Sequence, residues 1–191
     1  GYVAKVAGIL KDAGHETLVY DKVKPNPTIE GVRECASLCR SEGIAFVVGL
    51  GGGSSIDTAK GVAIMATNDG DWWDYIHGGT GGGKRMAKAG LPIVAIPTTS
   101  GTGSETTIAA VITDSETHHK YALMDLKLMP LYAILDPELT VGLPPRTTAT
   151  TGMDALTHAI EAYISWTYNT KESLRLAEEA VKLIFDNLEV A

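Results

Sequence analysis

Apolar residues recur along the chain with two different spacings, which predict two kinds of secondary structure. Spacings of three and four residues predict helices over residues 3–13, 29–42, 54–66, 151–165 and 171–188. Short apolar runs rich in β-branched residues predict strands over residues 16–20, 44–48, 92–96, 108–113, 120–123 and 132–135. The two kinds of element alternate up to about residue 142, whereas only helices are predicted after Pro144 and Pro145.

This order of elements predicts an α/β fold: a doubly wound, mostly parallel dinucleotide-binding sheet followed by the beginning of an all-helical domain. We place the α/β domain at residues 1–142 and the start of the helical domain at residues 143–191. The chain opens on a helix without a methionine and closes just after another helix. We therefore expect it to be a piece of a longer protein.

Composition narrows the classes of protein and of partner. Apolar residues make up 45% and charged residues 20%, which is typical of a globular protein. The net charge of −7, with no run of lysine or arginine, argues against nucleic acid or an anionic membrane as a partner. No apolar stretch reaches the roughly 18 residues of a membrane span, and no signal peptide is evident. Cys35 and Cys39 lie on one helix face, which favours a reduced, cytoplasmic protein.

Glycine is over-represented, with 21 residues, and the first glycine cluster has the features of a phosphate site. The sequence GGGSSIDTAK, residues 51–60, follows a predicted buried strand and opens a helix. Glycine lets a ligand approach the backbone, and a helix N-terminus offers free N–H groups and a partial positive charge. Gly52, Gly53 and Ser54 are the candidates for a pyrophosphate. Asp57 is also a candidate, although an acidic residue in the first turn of a helix has a dipole-related explanation as well.

A second cluster, PTTSGTGSE at residues 97–105, also follows a strand. Its hydroxyl groups and glycines would lie at the carboxyl edge of the sheet, where α/β folds bind ligands. Taken alone, it could equally be a polar loop; together with the first cluster it favours a dinucleotide. The run Gly78–Gly83 is low in complexity and is predicted to be mobile.

A third motif places Asp154 and His158 four residues apart on a predicted helix. Their side chains point from the same face, so that a carboxylate oxygen and an imidazole nitrogen could hold one divalent cation. Glu161, one turn further on, could support such a site or be a solvated charge. The spacing alone is also compatible with a surface Asp–His pair.

The three motifs, in this order and at these separations, resemble those of the iron-containing (group III) alcohol dehydrogenase family. The last of them, DPELTVGLPP followed by TGMDALTHAIEAY, is highly specific. The resemblance covers nearly the whole chain and implies interconversion of primary alcohols or diols with aldehydes. It implies NAD or NADP as the cofactor and a divalent metal, Fe²⁺ first and Zn²⁺ as the alternative. A small-molecule alcohol or aldehyde is the partner expected, in a homo-oligomer.

The resemblance also implies roles for individual residues. It implies that Asn26, in Pro25-Asn26-Pro27, contacts the cofactor, that Gly53 and Ser54 hold the pyrophosphate, and that Asp154 and His158 are the first two metal ligands. Further cofactor contacts would come from Thr98, Thr99, Ser100, Gly101, Val111 and Lys120. The family has two more histidine ligands, which would lie beyond Ala191, and a first strand, which would lie before Gly1.

Two alternatives remain open from the sequence. One is a glycerol dehydrogenase-like or dehydroquinate synthase-like zinc enzyme of the same superfamily. The other is a truncated chain that binds nucleotide or self-associates without catalysis, because two ligands hold a metal weakly and because Ile160, Leu174, Val181 and Ile184 would present apolar faces. We expect the 191-residue piece alone to be inactive.

Overall fold

The computed structural model describes residues 1–76 and 81–191. Six helices lie in this part of the chain: α1 (Tyr2–Asp12), α2 (Ile29–Ser41), α3 (Gly53–Thr67), α4 (Trp72–Tyr75), α5 (Pro145–Ile164) and α6 (Lys171–Asn187). Five strands accompany them: β1 (Val47–Gly51), β2 (Ile93–Pro97), β3 (Ala109–Thr113), β4 (Lys120–Met124) and β5 (Tyr132–Ala133). Part of the glycine run 78–83, which the sequence predicts to be mobile, lies outside the described residues.

A parallel sheet in the order β1-β2-β5 forms the centre of the first part of the chain. Val47 pairs with Ile93 and Gly51 with Pro97, so β1 and β2 end together. Strands β3 and β4 form a separate antiparallel hairpin, with Val111 opposite Ala122. Strands β1 and β2 are connected through α3 and α4, and only helices follow the sheet apart from short 3-10 turns. This order confirms the predicted α/β class with a helical continuation.

Helices α2 and α3 supply the largest share of the core against which the sheet and the hairpin pack. Thr28 caps α2 by accepting a hydrogen bond from the Gly31 N–H at 3.2 Å, as its position before the apolar stripe predicts. The predicted stripe of α2 is buried: Ile29, Val32, Ala36 and Cys39. Helix α3 is buried from Thr58 to Met65, so it is held on all sides rather than along one stripe.

The strand predicted over residues 16–20 is wrong, because this segment forms no strand. Its backbone has no ladder partner among the described residues, and a strand requires one. Leu18 and Val19 are 47% and 53% exposed. The segment and the free edge of β1 both line a groove of about 810 Å³.

Two further elements begin three or more residues away from where the sequence predicts. Strand β1 starts at Val47 instead of residue 44 and continues into the glycine loop, because its register with β2 extends to Gly51. Helix α5 starts at Pro145 instead of residue 151. Proline is favoured in the first turn of a helix, where its missing N–H is not needed, so the Pro144–Pro145 pair begins this helix.

The chain separates into two compact units. The first contains residues 1–97 and 104–136, and the second contains residues 98–103 and 137–191. In the second unit, α5 packs on α6 at Gly152, where an added Cβ would lie 2.9 Å from the Leu188 Cδ2.

Among the residues described in both units, no helix is long and apolar enough to cross a membrane.

Candidate cofactor and metal site

The loop between β1 and α3 brings backbone N–H groups to the carboxyl end of the sheet. Gly51 has a φ of 143°, and a Cβ added to it would collide with the Ser55 side chain. The Gly52 carbonyl accepts from the Ser55 and Ile56 N–H groups at 3.0 and 3.3 Å. The N–H groups of Gly53 and Ser54 therefore precede the first helical hydrogen bonds. With the positive end of the α3 dipole, they form an arrangement that suits a phosphate.

Asp57, one turn into α3, is hydrogen-bonded through both carboxylate oxygens. Its Oδ1 accepts from the Ser104 hydroxyl at 2.5 Å, and its Oδ2 accepts from the Val111 N–H at 3.0 Å. The carboxylate thus joins α3 to residues 104 and 111. Val111 itself is 37% exposed, on the part of β3 to which the resemblance assigns cofactor contact.

The loop that carries Asn26 is attached to the same hairpin. Asn26 is exposed and has a φ of 55°, a left-handed conformation that asparagine tolerates better than most residues. The neighbouring Pro27 carbonyl accepts from the Thr113 N–H at 2.7 Å. Because Thr113 pairs with Lys120 across the hairpin, three distant parts of the sequence meet here: residues 25–27, the end of β3 and the start of β4.

The loop of residues 98–103 belongs to the second unit, with α5. Gly101 lies against this helix: an added Cβ would be 2.8 Å from the Thr151 carbonyl oxygen. Thr98 and Thr99 are half-buried and Ser100 is exposed. The loop that the sequence assigns to the cofactor therefore packs one turn from the predicted metal ligand Asp154.

Asp154 and His158 lie on the same face of α5, as their spacing predicts. The Asp154 Oδ1 and the His158 Nε2 are 3.7 Å apart, and the two side chains are 44% and 58% exposed. A carboxylate oxygen and an imidazole nitrogen this close are a donor pair that suits Fe²⁺ or Zn²⁺. Within residues 1–76 and 81–191, no group of three or more His, Cys, Asp or Glu residues completes such a site.

The candidate residues fall into two groups. The first unit contains Asn26, Gly52, Gly53, Ser54, Asp57, Val111 and Lys120, and the second contains Thr98, Thr99, Ser100, Gly101, Asp154 and His158. Sequence reasoning missed Lys60, which is fully buried and bound to the segment after Ser104. A signal for it exists in the sequence, since Lys60 is the only charged residue in the apolar stretch from Ala59 to Ala66.

Burial lowers the pKa of the Lys60 ammonium to about 8, while the negative charges of Asp57 and Glu105 act in the opposite direction. Desolvation outweighs these two charges because the lysine side chain is 0% exposed. With a pKa of about 8, the Lys60 amine is mostly protonated at neutral pH. It therefore places a positive charge one turn after Asp57 in α3, the helix that begins at the glycine loop.

Comparisons with known proteins agree with this arrangement. The family model described as "Iron-containing alcohol dehydrogenase" matches residues 1–137, and that described as "Fe-containing alcohol dehydrogenase family, C-terminal" matches residues 148–191. Alcohol dehydrogenase 4 of Schizosaccharomyces pombe is 44% identical over 169 residues, which are 88% of this chain and 39% of the relative. The 1,3-propanediol dehydrogenase of Klebsiella pneumoniae is 41% identical over 191 residues, which are 100% of this chain and 48% of the relative.

A solved structure shares the fold as well. Sulfoacetaldehyde reductase from Bifidobacterium kashiwanohense, in complex with NAD⁺, superimposes with a TM-score of 0.89 at 38% identity, covering 100% of this chain and 50% of that one. The chain thus spans about half the length of the relatives that it matches. On the strength of both family models and these relatives, the chain belongs to the iron-containing alcohol dehydrogenase family.

Proposed function

We propose that the protein containing this chain is an oxidoreductase that interconverts primary alcohols or diols with aldehydes by hydride transfer to or from a nicotinamide dinucleotide. The observation that carries the proposal is the open N-terminus of α3, where Gly53 and Ser54 offer backbone N–H groups beside a strand end. Its relatives include proteins named alcohol dehydrogenase, 1,3-propanediol dehydrogenase and NAD-dependent methanol dehydrogenase, and these support the substrate class. They do not favour the glycerol dehydrogenase-like alternative.

For the cofactor, we propose NAD, with NADP as the alternative. The NAD⁺ in the complex of the related sulfoacetaldehyde reductase supports NAD. The pyrophosphate would bind the N–H groups of Gly53 and Ser54, and the hairpin residues Val111 and Lys120 would contact the remainder. We assign this binding mainly to residues 1–142 and metal binding to residues 143–191.

Asp154 and His158 fit the role of two metal ligands, since both are partly exposed and their donor atoms are close together. A divalent cation held by them, iron by preference and zinc as the alternative, would supply Lewis-acid polarisation of the substrate oxygen. The family name supports iron. For the rest of the site, we expect the two further histidine ligands that the family resemblance implies.

The contribution of this chain's own residues is mainly to bind and to orient. The α3 N-terminus fixes the phosphates of the dinucleotide through backbone groups that are already in place before binding. Asp57 holds Val111 through the backbone N–H. Gly101 lets the Thr98–Thr99 loop pack against α5 beside the Asp154 turn. Among the described residues, we assign no side chain as a general base.

The test is an activity assay of the whole protein that contains these 191 residues. It would be supplied with Fe²⁺ or Zn²⁺ and offered a panel of primary alcohols and diols with NAD or NADP. We expect formation of the reduced nicotinamide with at least one alcohol, and no turnover by the isolated piece Gly1–Ala191. Failure with every alcohol and aldehyde under both metals would refute the proposed reaction.

Self-association is a second proposal, which the exposed apolar side chains of the second unit support. Ile160 is 44% exposed, as the sequence predicts, and Leu183 and Phe185 are 56% and 69% exposed. The predicted Leu174, Val181 and Ile184 are instead half-buried. A homo-oligomer would cover such side chains, and light scattering of the purified protein tests this.

We place the protein in the cytoplasm, on the support of the two free cysteines.

A further inference from the structure

Lys60 binds residues 107–109 through all three of its N–H groups. Its Nζ donates to the Thr107 carbonyl at 2.9 Å, to the Thr107 hydroxyl at 2.9 Å and to the Ala109 carbonyl at 2.8 Å. A lysine ammonium has three N–H donors and no acceptor, so each N–H group of Lys60 has one acceptor in this segment. The three acceptors come from the chain about 47 residues further on.

Asp57 binds the two ends of the same segment. It lies three residues before Lys60 in α3, and its carboxylate accepts from the Ser104 hydroxyl and the Val111 N–H. Residues on a helix that are three apart share a face. The segment 104–111 is therefore attached to one face of α3 by five hydrogen bonds, of which three come from a buried ammonium.

Packing alone does not explain a lysine at this position. An apolar side chain of similar length would fill the space without the desolvation of an ammonium. What such a side chain could not do is hold two carbonyl groups and a hydroxyl in fixed positions. The same helix begins at Gly53, so the proposed phosphate site and the segment 104–111 are connected through a single rigid element.

We propose that Lys60 is a positioning residue for the dinucleotide, which with Asp57 holds residues 104–111 in the conformation that receives the cofactor. The inference rests on the proposed function, because the cofactor concerned is NAD(H). Lys60 does not touch the cofactor in this scheme. It acts through the backbone of residues 107–111, whose end at Val111 is a proposed cofactor contact.

Such a role has a consequence for the pH dependence of cofactor binding. The neutral amine has only two N–H groups, so Lys60 can no longer donate to all three acceptors when the ammonium loses its proton. The charged groups that face Lys60 are Asp57 on α3 and Glu105 in the turn of residues 104–106, and both favour the ammonium. We expect the affinity for NADH to fall as the pH rises above about 8.

The experiment measures NADH binding to the whole protein that contains these residues by nicotinamide fluorescence, for the unmodified protein and for Lys60→Met, which keeps most of the length of the side chain and removes the donors. We expect the dissociation constant to rise at least about tenfold, equivalent to ~1.4 kcal/mol, and the pH dependence above 8 to disappear. Hydrogen exchange should become faster at residues 107–111, whereas β1 and β2 stay protected.

Ser104→Ala is the second variant, because it removes a donor to Asp57 and leaves the buried lysine in place, should Lys60→Met fail to fold. It should weaken NADH binding by several-fold and retain the pH dependence. NADH affinity and exchange rates that are unchanged in both variants would overturn the inference and leave the proposed function intact. Absence of NADH binding by the unmodified whole protein, with its circular dichroism intact, would instead overturn the proposed cofactor role of this chain and the inference with it.

Discussion

Gly101 packs directly against Thr151, with the position of a Cβ on Gly101 only 2.8 Å from the Thr151 carbonyl oxygen. The two residues lie 50 positions apart in the numbering and belong to two different motifs, the hydroxyl-rich loop and the helix of Asp154. Real Cβ atoms essentially never come this close to a backbone oxygen. Glycine at position 101 is therefore what allows the Thr98–Thr99 loop to approach the turn before Asp154.

Replacing this glycine should impair catalysis more than stability. We expect Gly101→Ala to lower kcat/KM of the whole protein about 10- to 100-fold, because the loop must move away from α5 and small misplacements of positioning groups are costly. Steady-state kinetics with the best alcohol would measure the effect.

Gly8→Ala is the matched control for this variant. Gly8 lies in α1, and nothing lies within 4 Å of the position of its Cβ, so its activity should equal that of the unmodified protein. A Gly101→Ala enzyme as active as this control would show that the loop does not depend on its contact with Thr151.

Removal of either proposed metal ligand should release the metal. Asp154→Ala and His158→Ala should each weaken metal binding in the whole protein by more than about 100-fold, because even changes to the partners of ligands cost 10- to 100-fold. Metal analysis of the purified proteins gives the readout. Glu178→Ala, an exposed carboxylate on α6, is the control. Full metal content in both ligand variants would contradict the assignment.

Close packing of α5 on α6 depends on Gly152. Gly152→Val should lower the free energy of unfolding by about 1–3 kcal/mol, because its added atoms would collide with the Leu188 side chain and overpack the contact. Urea unfolding measures this change. Adding Leu188→Ala should restore part of the loss, since it opens the space that valine needs. Strictly additive effects of the two substitutions would show that they do not share a contact.

The sequence predicts those parts of the fold that depend on residues close to one another in the chain. The Thr28 cap, the α2 stripe and the Asp154–His158 spacing depend on residues close to one another in the chain, and the structure has all three. The strand at 16–20 fails because a strand also depends on a distant neighbour. The contacts of Lys60 could not be predicted for the same reason. Its acceptors come from residues 107 and 109, and no local pattern in the sequence indicates them.

The last prediction concerns the ion pair between Arg33 of α2 and Asp71, the residue that caps α4. The Arg33 Nε lies 2.8 Å from the Asp71 Oδ1, and the hydrogen bond from Arg33 holds the pKa of Asp71 below its usual value of 3.8. Because the folded chain binds this proton less tightly than the unfolded chain, the pair stabilises the fold above about pH 4. That contribution is lost as the pH falls through the pKa of the folded state.

Asp71→Asn keeps a capping side chain and removes the charge. Since the two side chains are 44% and 39% exposed, solvent screens the pair, and we expect a loss of only about 0.5–1 kcal/mol near neutral pH. The difference between the variant and the unmodified chain should shrink as the pH falls below about 4. It should also shrink in high salt, because added ions screen partly exposed charges. Urea unfolding near neutral pH and over the acid range measures it. A difference that stays constant with pH would mean that the cap, rather than the charge, stabilises this part of the chain.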